Sequence, residues 1–169
     1  RIASYIKEIS PDIIGMQEVL KSQLVFLDAS LTEFSFEGVG REDGKTKGEY
    51  SPILYNSNRL ALLQTDTFWL SETPTVISVG WDAALERVCT YAQFEHKKTG
   101  KKFWVFNTHF DHIGELARIQ SAKLIHEKIK KLNLNNFPVI ITGDFNLSPN
   151  TTPIKTVSYT HLTLPTISS

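Results

Sequence analysis

The sequence predicts a layered α/β/β/α sandwich, an α/β (α+β) domain in which two β-sheets pack face to face between outer helices. Three observations lead there. The chain opens helix, strand, helix; its centre holds five strand-like runs divided by Gly, Pro, Asn or Asp; and a long amphipathic helix then leads into one last apolar strand.

Taken in order, Ile2, Tyr5, Ile6 and Ile9 lie on one face of a helix that Pro11 ends. No capping residue or initiator methionine stands before them, so further chain is expected ahead of Arg1. "DIIGMQE" reads as a strand, and Leu20, Leu24, Leu27 and Leu31 repeat at helical spacing after it. "FSFEGVG", "SPILYN", "LALLQTDTFWL", "RVCTYAQFEH" and "KFWVFNTHFD" follow as strands, the last two joined by the hairpin signal "KTGK". In "IGELARIQSAKLIHEKIKKL", Ile113, Ala117, Leu124, Ile125, Ile129 and Leu132 mark the apolar stripe of a long helix. Val139, Ile140 and Ile141 then form an unbroken β-branched run behind a proline, the pattern of a strand buried on both faces.

Composition narrows the function classes. With 169 residues and 41% apolar content the chain can bury one substantial core, and 18 basic against 18 acidic residues give no global field to draw it onto a long polyanion. The lysines of "HKKTGKK" and "KLIHEKIKK" read as a hairpin tip and the wet face of a helix. A lone Cys89 excludes an internal disulfide and reads as a small core residue, and no run reaches the roughly 20 apolar residues of a membrane span. A monomer is expected, and compartment is unknown. From Thr156 to Ser169 there is no Asp, Glu, Lys or Arg. "VSYTHLTLPT" there resembles a translated reading frame of a transposon-derived sequencing adapter, so residues 156–169 are set apart as a non-native tail and residues 1–155 as a partial domain.

Three strand ends carry polar residues that a buried strand has no packing need for. "PVIITGDFNLSPN" closes on Asp144 and Asn146, which the two-residue period of an extended chain sends to one side, while Gly143 lets the backbone pass closely. As plain turn residues they would need no further role. "DIIGMQE" finishes on Glu18, and Asn107, His109 and Asp111 share a face of "KFWVFNTHFDH". Singly, each reads as an exposed carboxylate or a satisfied histidine. Gathered at one rim, they would offer oxygen ligands for a hard cation such as Mg²⁺, an imidazole and an amide, a set that can position phosphate and activate water.

"PDIIGMQEV", "FNTHFDH" and "TGDFN" resemble, in order, three motifs of the endonuclease/exonuclease/phosphatase superfamily, whose fold is the DNase I-like four-layer sandwich. "GVGREDGKTKGEYSPILYN", "TFWLSETP" and "GWDAALERVCTYAQF" further resemble a bacterial branch closest in style to the deadenylases and sphingomyelinases. The resemblance implies a metal-dependent phosphoester hydrolase with in-line attack of water, nuclease- or deadenylase-like first, and a phosphatase, a sphingomyelinase-like lipid phosphodiesterase or a non-catalytic binding member as alternatives. It implies Mg²⁺, with Mn²⁺ as a substitute, and a phosphoester partner: short RNA or DNA, or a small or lipid phosphate. By position, Glu18 matches the metal-binding glutamate, Asp144 the residue that orients or deprotonates water, Asn146 the amide holding phosphate and nucleophile in line, and His109 the imidazole near the leaving group. Arg118 matches a phosphate-facing arginine, with a surface ion pair as the equal alternative, and Asn107 joins it as a phosphate contact. Asp111, His112 and Arg87 are placed behind these. Trp69, Trp81 and Tyr50 are candidates to stack a base, with core or loop packing the stronger expectation. The superfamily's first-strand asparagine and its final aspartate-histidine pair have no counterpart in the sequence, which implies a fragment with little activity of its own.

Overall fold

The computed structural model describes residues 1–148; the expectations for residues 149–169, the tail at 156–169 among them, lie outside the described residues. Its elements are α1 (Ile2–Ile9), β1 (Ile13–Gly15), α2 (Lys21–Ser30), β2 (Phe34–Glu37), β3 (Ile53–Asn56), β4 (Leu60–Trp69), β5 (Val88–His96), β6 (Lys102–His109), α3 (Glu115–Leu132) and β7 (Val139–Asp144). They form a three-stranded antiparallel sheet, β1-β3-β2, and a four-stranded sheet, β4-β5-β6-β7, whose last pair is parallel.

Three apolar clusters define the layers. Ala3 and Ile6 of α1 and Leu24 and Leu27 of α2 pack with Leu31, Tyr50 and Leu54 on the outer face of the first sheet. Ala122, Ile125 and Ile129 of α3 cover Phe68, Cys89, Tyr91, Trp104, Phe106 and Ile141 on the outer face of the second. Ile53 and Tyr55 meet Ala92, Phe94 and Val105 between the sheets. The sandwich is therefore α/β/β/α, as the patterning predicts. Alternation decides the site: on β6, Val105 faces the inner layer, and the same face continues through Asn107 to His109 at the strand end. A parallel crossover through α3 puts the ends of β6 and β7 side by side, His109 opposite Asp144.

Several expectations fail for identifiable reasons. In α1 only Ala3 and Ile6 are buried, while Ile2, Tyr5 and Ile9 stand exposed, because one narrow stripe meets the sheet. Ile140 is 44% exposed and β7 is not buried on both faces: among the described residues it has β6 on one side and no strand on the other. Ile113 precedes α3 and is exposed. Lys128 is not on the wet face; its Nζ lies over the rings of Phe68 and Tyr91, 5.4 and 5.2 Å from their centres. The hairpin after β5 does turn at Gly100, and Cys89 is fully buried, its thiol pushed up by burial. Among the described residues no helix is long and apolar enough to cross a membrane.

Candidate active site

One glycine lets the two sheets close on one another, and a second lets β7 lie close beside β6 within its own sheet. A Cβ at Gly15 would collide with Thr142 Oγ1 and Asn107 Oδ1, and one at Gly143, which also has φ 156°, would collide with the Thr108 carbonyl. The close approach is locked by Asn107. Its Nδ2 donates to Met16 O (2.7 Å) and Pro52 O (2.9 Å), and its Oδ1 accepts from Gln17 Nε2 (2.8 Å) and Thr142 Oγ1 (2.9 Å). All four bonds of the amide are used and the residue is fully buried, so Asn107 ties the two sheets together and does not stand free to contact phosphate.

That junction carries Glu18 to the rim. Its backbone is held at φ 57°, a left-handed conformation that costs energy for a glutamate, while Asn146 lies at φ 47°, which asparagine adopts readily. His109 Nε2 lies 4.0 Å from Glu18 Oε1 and 3.9 Å from Asp144 Oδ2, with both carboxylate side chains more than half exposed. Asn146 Nδ2 donates to Phe110 O (2.9 Å) and stands 3.2 Å from His109 Nε2. The amide's second N–H is thus directed at Nε2, which sets Nε2 as acceptor and leaves the proton of a neutral ring on Nδ1. Burial and the Arg87 charge lower the pKa of His109, against the opposing pull of Asp144, Glu18 and Glu49, and so favour that neutral form. Asp144 Oδ1 accepts the Asn146 N–H at 2.9 Å in an Asx turn, which leaves Oδ2 facing the histidine. The structure therefore brings Glu18, His109, Asp144 and Asn146 together.

Asp111, Arg87, His112 and Arg118 lie behind them. Arg87 Nε reaches Asp111 Oδ1 (3.2 Å), both side chains being buried, and its Nη2 lies 2.9 Å from His112 Nδ1. Asp111 Oδ2 accepts from Ile113 N and Gly114 N. Burial alone would raise the Asp111 carboxyl, but these N–H groups, that of Ala84 and Arg87 outweigh it and hold its pKa down to about 2. Arg118 Nη1 donates to Asp111 O at 3.1 Å, bracing the same turn. The N–H groups that open α3 are met by Asp82, which accepts from Leu116 and Ala117.

Sequence reasoning missed Arg41 and Glu49. Arg41 Nη1 pairs with Glu49 Oε2 at 2.7 Å, and both line a cleft of about 10 Å³ with Glu18, Arg87 and His109. The signal was a Gly-rich loop holding one arginine and several acids between two strands, which leaves open which acid pairs. Tyr50 and Trp69 are buried, with Tyr50 Oη donating to Lys45 O and Trp69 Nε1 to Arg41 O, so neither offers a free ring face for stacking; Trp81 is half-buried and absent from this cleft. On its other side Glu18 borders a wider groove of about 580 Å³ between α1 and α2.

For a metal, the described residues contain no group of three or more His, Cys, Asp or Glu side chains that could hold one. What they do offer is the exposed carboxylate of Glu18, a hard oxygen donor facing the rim. That donor fits Mg²⁺, which commonly takes one or two carboxylates and keeps several waters.

Residues 1–159 match the Endonuclease/Exonuclease/phosphatase family. The chain belongs to that family. Among solved structures, the endonuclease/exonuclease/phosphatase from Bacteroides vulgatus superposes with a TM-score of 0.90 at 46% identity, over 94% of this chain and 61% of that one. The mannosyl-6-phosphatase of Bacteroides thetaiotaomicron gives a TM-score of 0.90 at 43% identity, over 94% and 60%. An uncharacterized protein, L388, of Acanthamoeba polyphaga mimivirus is 34% identical over 86% of this chain and 56% of its own. The sandwich is the DNase I-like fold of this endonuclease/exonuclease/phosphatase family, and the chain spans about 60% of these relatives' length.

Proposed function

We propose that the protein is a metal-dependent phosphoester hydrolase in which water attacks phosphorus in line at the rim formed by Glu18, His109, Asp144 and Asn146. The observation that carries this reading is the meeting of four groups from three strand ends. Two exposed carboxylates flank a neutral imidazole at 3.9 and 4.0 Å, and that imidazole is fixed by an amide. Such a set has no role in packing, and one of its members, Glu18, sits in strained backbone.

Each residue has a distinct task. Glu18 would hold Mg²⁺, which when bound shields the non-bridging oxygens and the leaving oxygen. Asp144 Oδ2, the oxygen its Asx turn leaves unused, takes the proton of the attacking water. Asn146 is held at rest by Phe110 O and His109 Nε2, and turning its second N–H from Nε2 to the substrate would let it hold a phosphoryl oxygen. The imidazole, neutral at rest with its proton on Nδ1, offers Nε2 as an acceptor at the rim, where it orients the Asn146 amide and would orient the attacking water. Arg87, Asp111 and Arg118 hold the turn that follows His109 and keep its ring in place.

The sequence alone put a nuclease or deadenylase first. The buried rings of Tyr50 and Trp69 and the zero net charge instead favour a small phosphoester over a base-stacking polymer, and a similar protein is a mannosyl-6-phosphatase. The test is hydrolysis of phosphoesters by the full-length protein in H₂¹⁸O, with Mg²⁺ or with EDTA. Metal-dependent release carrying the label into phosphate is expected. Label in the released alcohol would mean cleavage at carbon and would reject attack at phosphorus.

A further inference from the structure

We propose that Tyr50 is a positioning residue for Glu18: its backbone bridge to Val19 closes a β-bulge that aims the Glu18 carboxylate at the rim, and its hydroxyl anchors that bridge to the loop at 40–49. This rests on the hydrolase reading above, in which Glu18 would hold Mg²⁺.

Pairing between the chain that leaves β1 and the chain that enters β3 slips by one residue at Glu18. Gly15 lies opposite Ile53, and Met16 N donates to Pro52 O at 3.1 Å, but the next pair is Val19 with Tyr50. Gln17 and Glu18 therefore stand against Ser51 alone, the two-against-one count of a β-bulge. A bulge bends its strand and re-aims a side chain, and a left-handed residue within one is usually glycine. Here that place, at φ 57°, is taken by a glutamate, so its surroundings must hold it. Upstream the hold is the Asn107 amide, bonded to Met16 O and Gln17 Nε2. Downstream it is Tyr50, whose N donates to Val19 O at 2.8 Å and whose O accepts from Val19 N at 3.4 Å.

Tyr50 is itself fixed at both ends of its side chain. The residue is 2% exposed and belongs to the apolar cluster of Val19, Leu24, Leu27 and Leu54, while Oη donates to Lys45 O at 2.8 Å. Lys45 sits in a loop with little freedom. Asp43 Oδ1 accepts the N–H groups of Lys45, Thr46 and Lys47 at 2.8 to 2.9 Å, and Arg41 meets Glu49 twice, N to O at 3.2 Å and Nη1 to Oε2 at 2.7 Å. Trp69 Nε1, at the end of β4, donates to Arg41 O at 2.8 Å. A chain of bonds thus runs from the second sheet through this loop to Tyr50, Val19 and Glu18, by a route separate from Asn107. A carboxylate aimed in this way has its geometry before an ion arrives, and groups that orient a metal ligand from behind set much of its affinity.

The experiment measures binding of Mn²⁺, a spectroscopic stand-in for Mg²⁺, to the full-length protein without substrate, by electron paramagnetic resonance. Wild type, Tyr50→Phe, Glu18→Gln and the double variant are compared. Phenylalanine keeps the buried ring and loses only the bond to Lys45 O, so Tyr50→Phe should fold and should raise the Mn²⁺ Kd by about tenfold. In the Glu18→Gln background the same change should alter Kd by less than about twofold, because a residue that acts through Glu18 then has no carboxylate to position. A Kd unchanged by Tyr50→Phe, or raised equally in both backgrounds, overturns the positioning role and leaves Glu18 a ligand. Wild type that binds no Mn²⁺, or Glu18→Gln that binds it as tightly as wild type, would remove Glu18 as a ligand and with it the metal-dependent reading beneath. The strain has its own readout: Glu18→Gly relieves the left-handed backbone and should raise Tm by about 2–4 °C, and a lower Tm would overturn the constrained bulge.

Discussion

His109 shows how much one residue's surroundings decide. An Asn amide aimed at Nε2, a buried ring and a neighbouring guanidinium favour its neutral form, although two carboxylates stand about 4 Å away. Protonation would put a second N–H where Asn146 already donates. Because the folded pKa lies below the ordinary 6.5, the unfolded chain binds the proton first. The associated stability is therefore complete above 6.5 and is lost as pH falls from there toward the lowered value. Hydrolysis should fall over the same acid range, and His109→Ala should abolish that limb of the kcat profile; an unchanged limb would assign it to another group. Glu18 invites a different assay. Glu18→Gln should keep the fold and lower hydrolysis at limiting Mg²⁺ on the order of 100-fold, with partial recovery at high Mg²⁺, since an amide oxygen is a poor ligand for a hard cation. A Mg²⁺ titration that superimposes on wild type would detach Glu18 from the metal.

At the scale of elements, the account depends on strand ends being tied to one another. Asn107→Ala would strand Met16 O, Pro52 O, Gln17 and Thr142 without their partner, at a cost of about 2–4 kcal/mol in urea unfolding, and should lower turnover by displacing Glu18. Loss of stability at full turnover would show that the tie is structural alone. Asp111→Asn breaks a pair whose side chains are 5% and 1% exposed and should cost about 3–5 kcal/mol at pH 7. Since the native carboxyl titrates near 2, its contribution is present above the ordinary 3.8 and disappears as pH falls through about 2; the variant should lack that part of the acid unfolding curve. Element types and order were legible in the sequence because periodicity reports local burial. Ile113, Ile140 and the exposed side of α1 were not, since a strand or helix pattern does not say whether a neighbour is there to cover it. Asn107 was read as a ligand for a related reason. Alternation gave its face correctly, but only the contact between sheets reveals that its amide is already fully bonded.

The whole molecule joins residues that the chain keeps far apart. Glu18 hangs from the first sheet and Asp144 from the second, and Gly15 and Asn107 bring the sheets close enough for both to face one imidazole. Three of the four rim residues were visible as polar endings on apolar strands and the fourth followed by spacing, whereas Arg41 and Glu49 lie in a loop with no periodicity to read. The central claim is that the two sheets build one hydrolytic centre, and a double-mutant cycle between them tests it most directly. Glu18→Gln and Asp144→Asn are each expected to lower kcat by on the order of 10²–10⁴-fold, with the effect of Asp144→Asn falling on kcat more than on KM. In one cooperating centre, the double variant should be about as slow as the slower single variant. A double variant slowed by the full product of the two single effects would mean that Glu18 and Asp144 act independently, and would contradict the account.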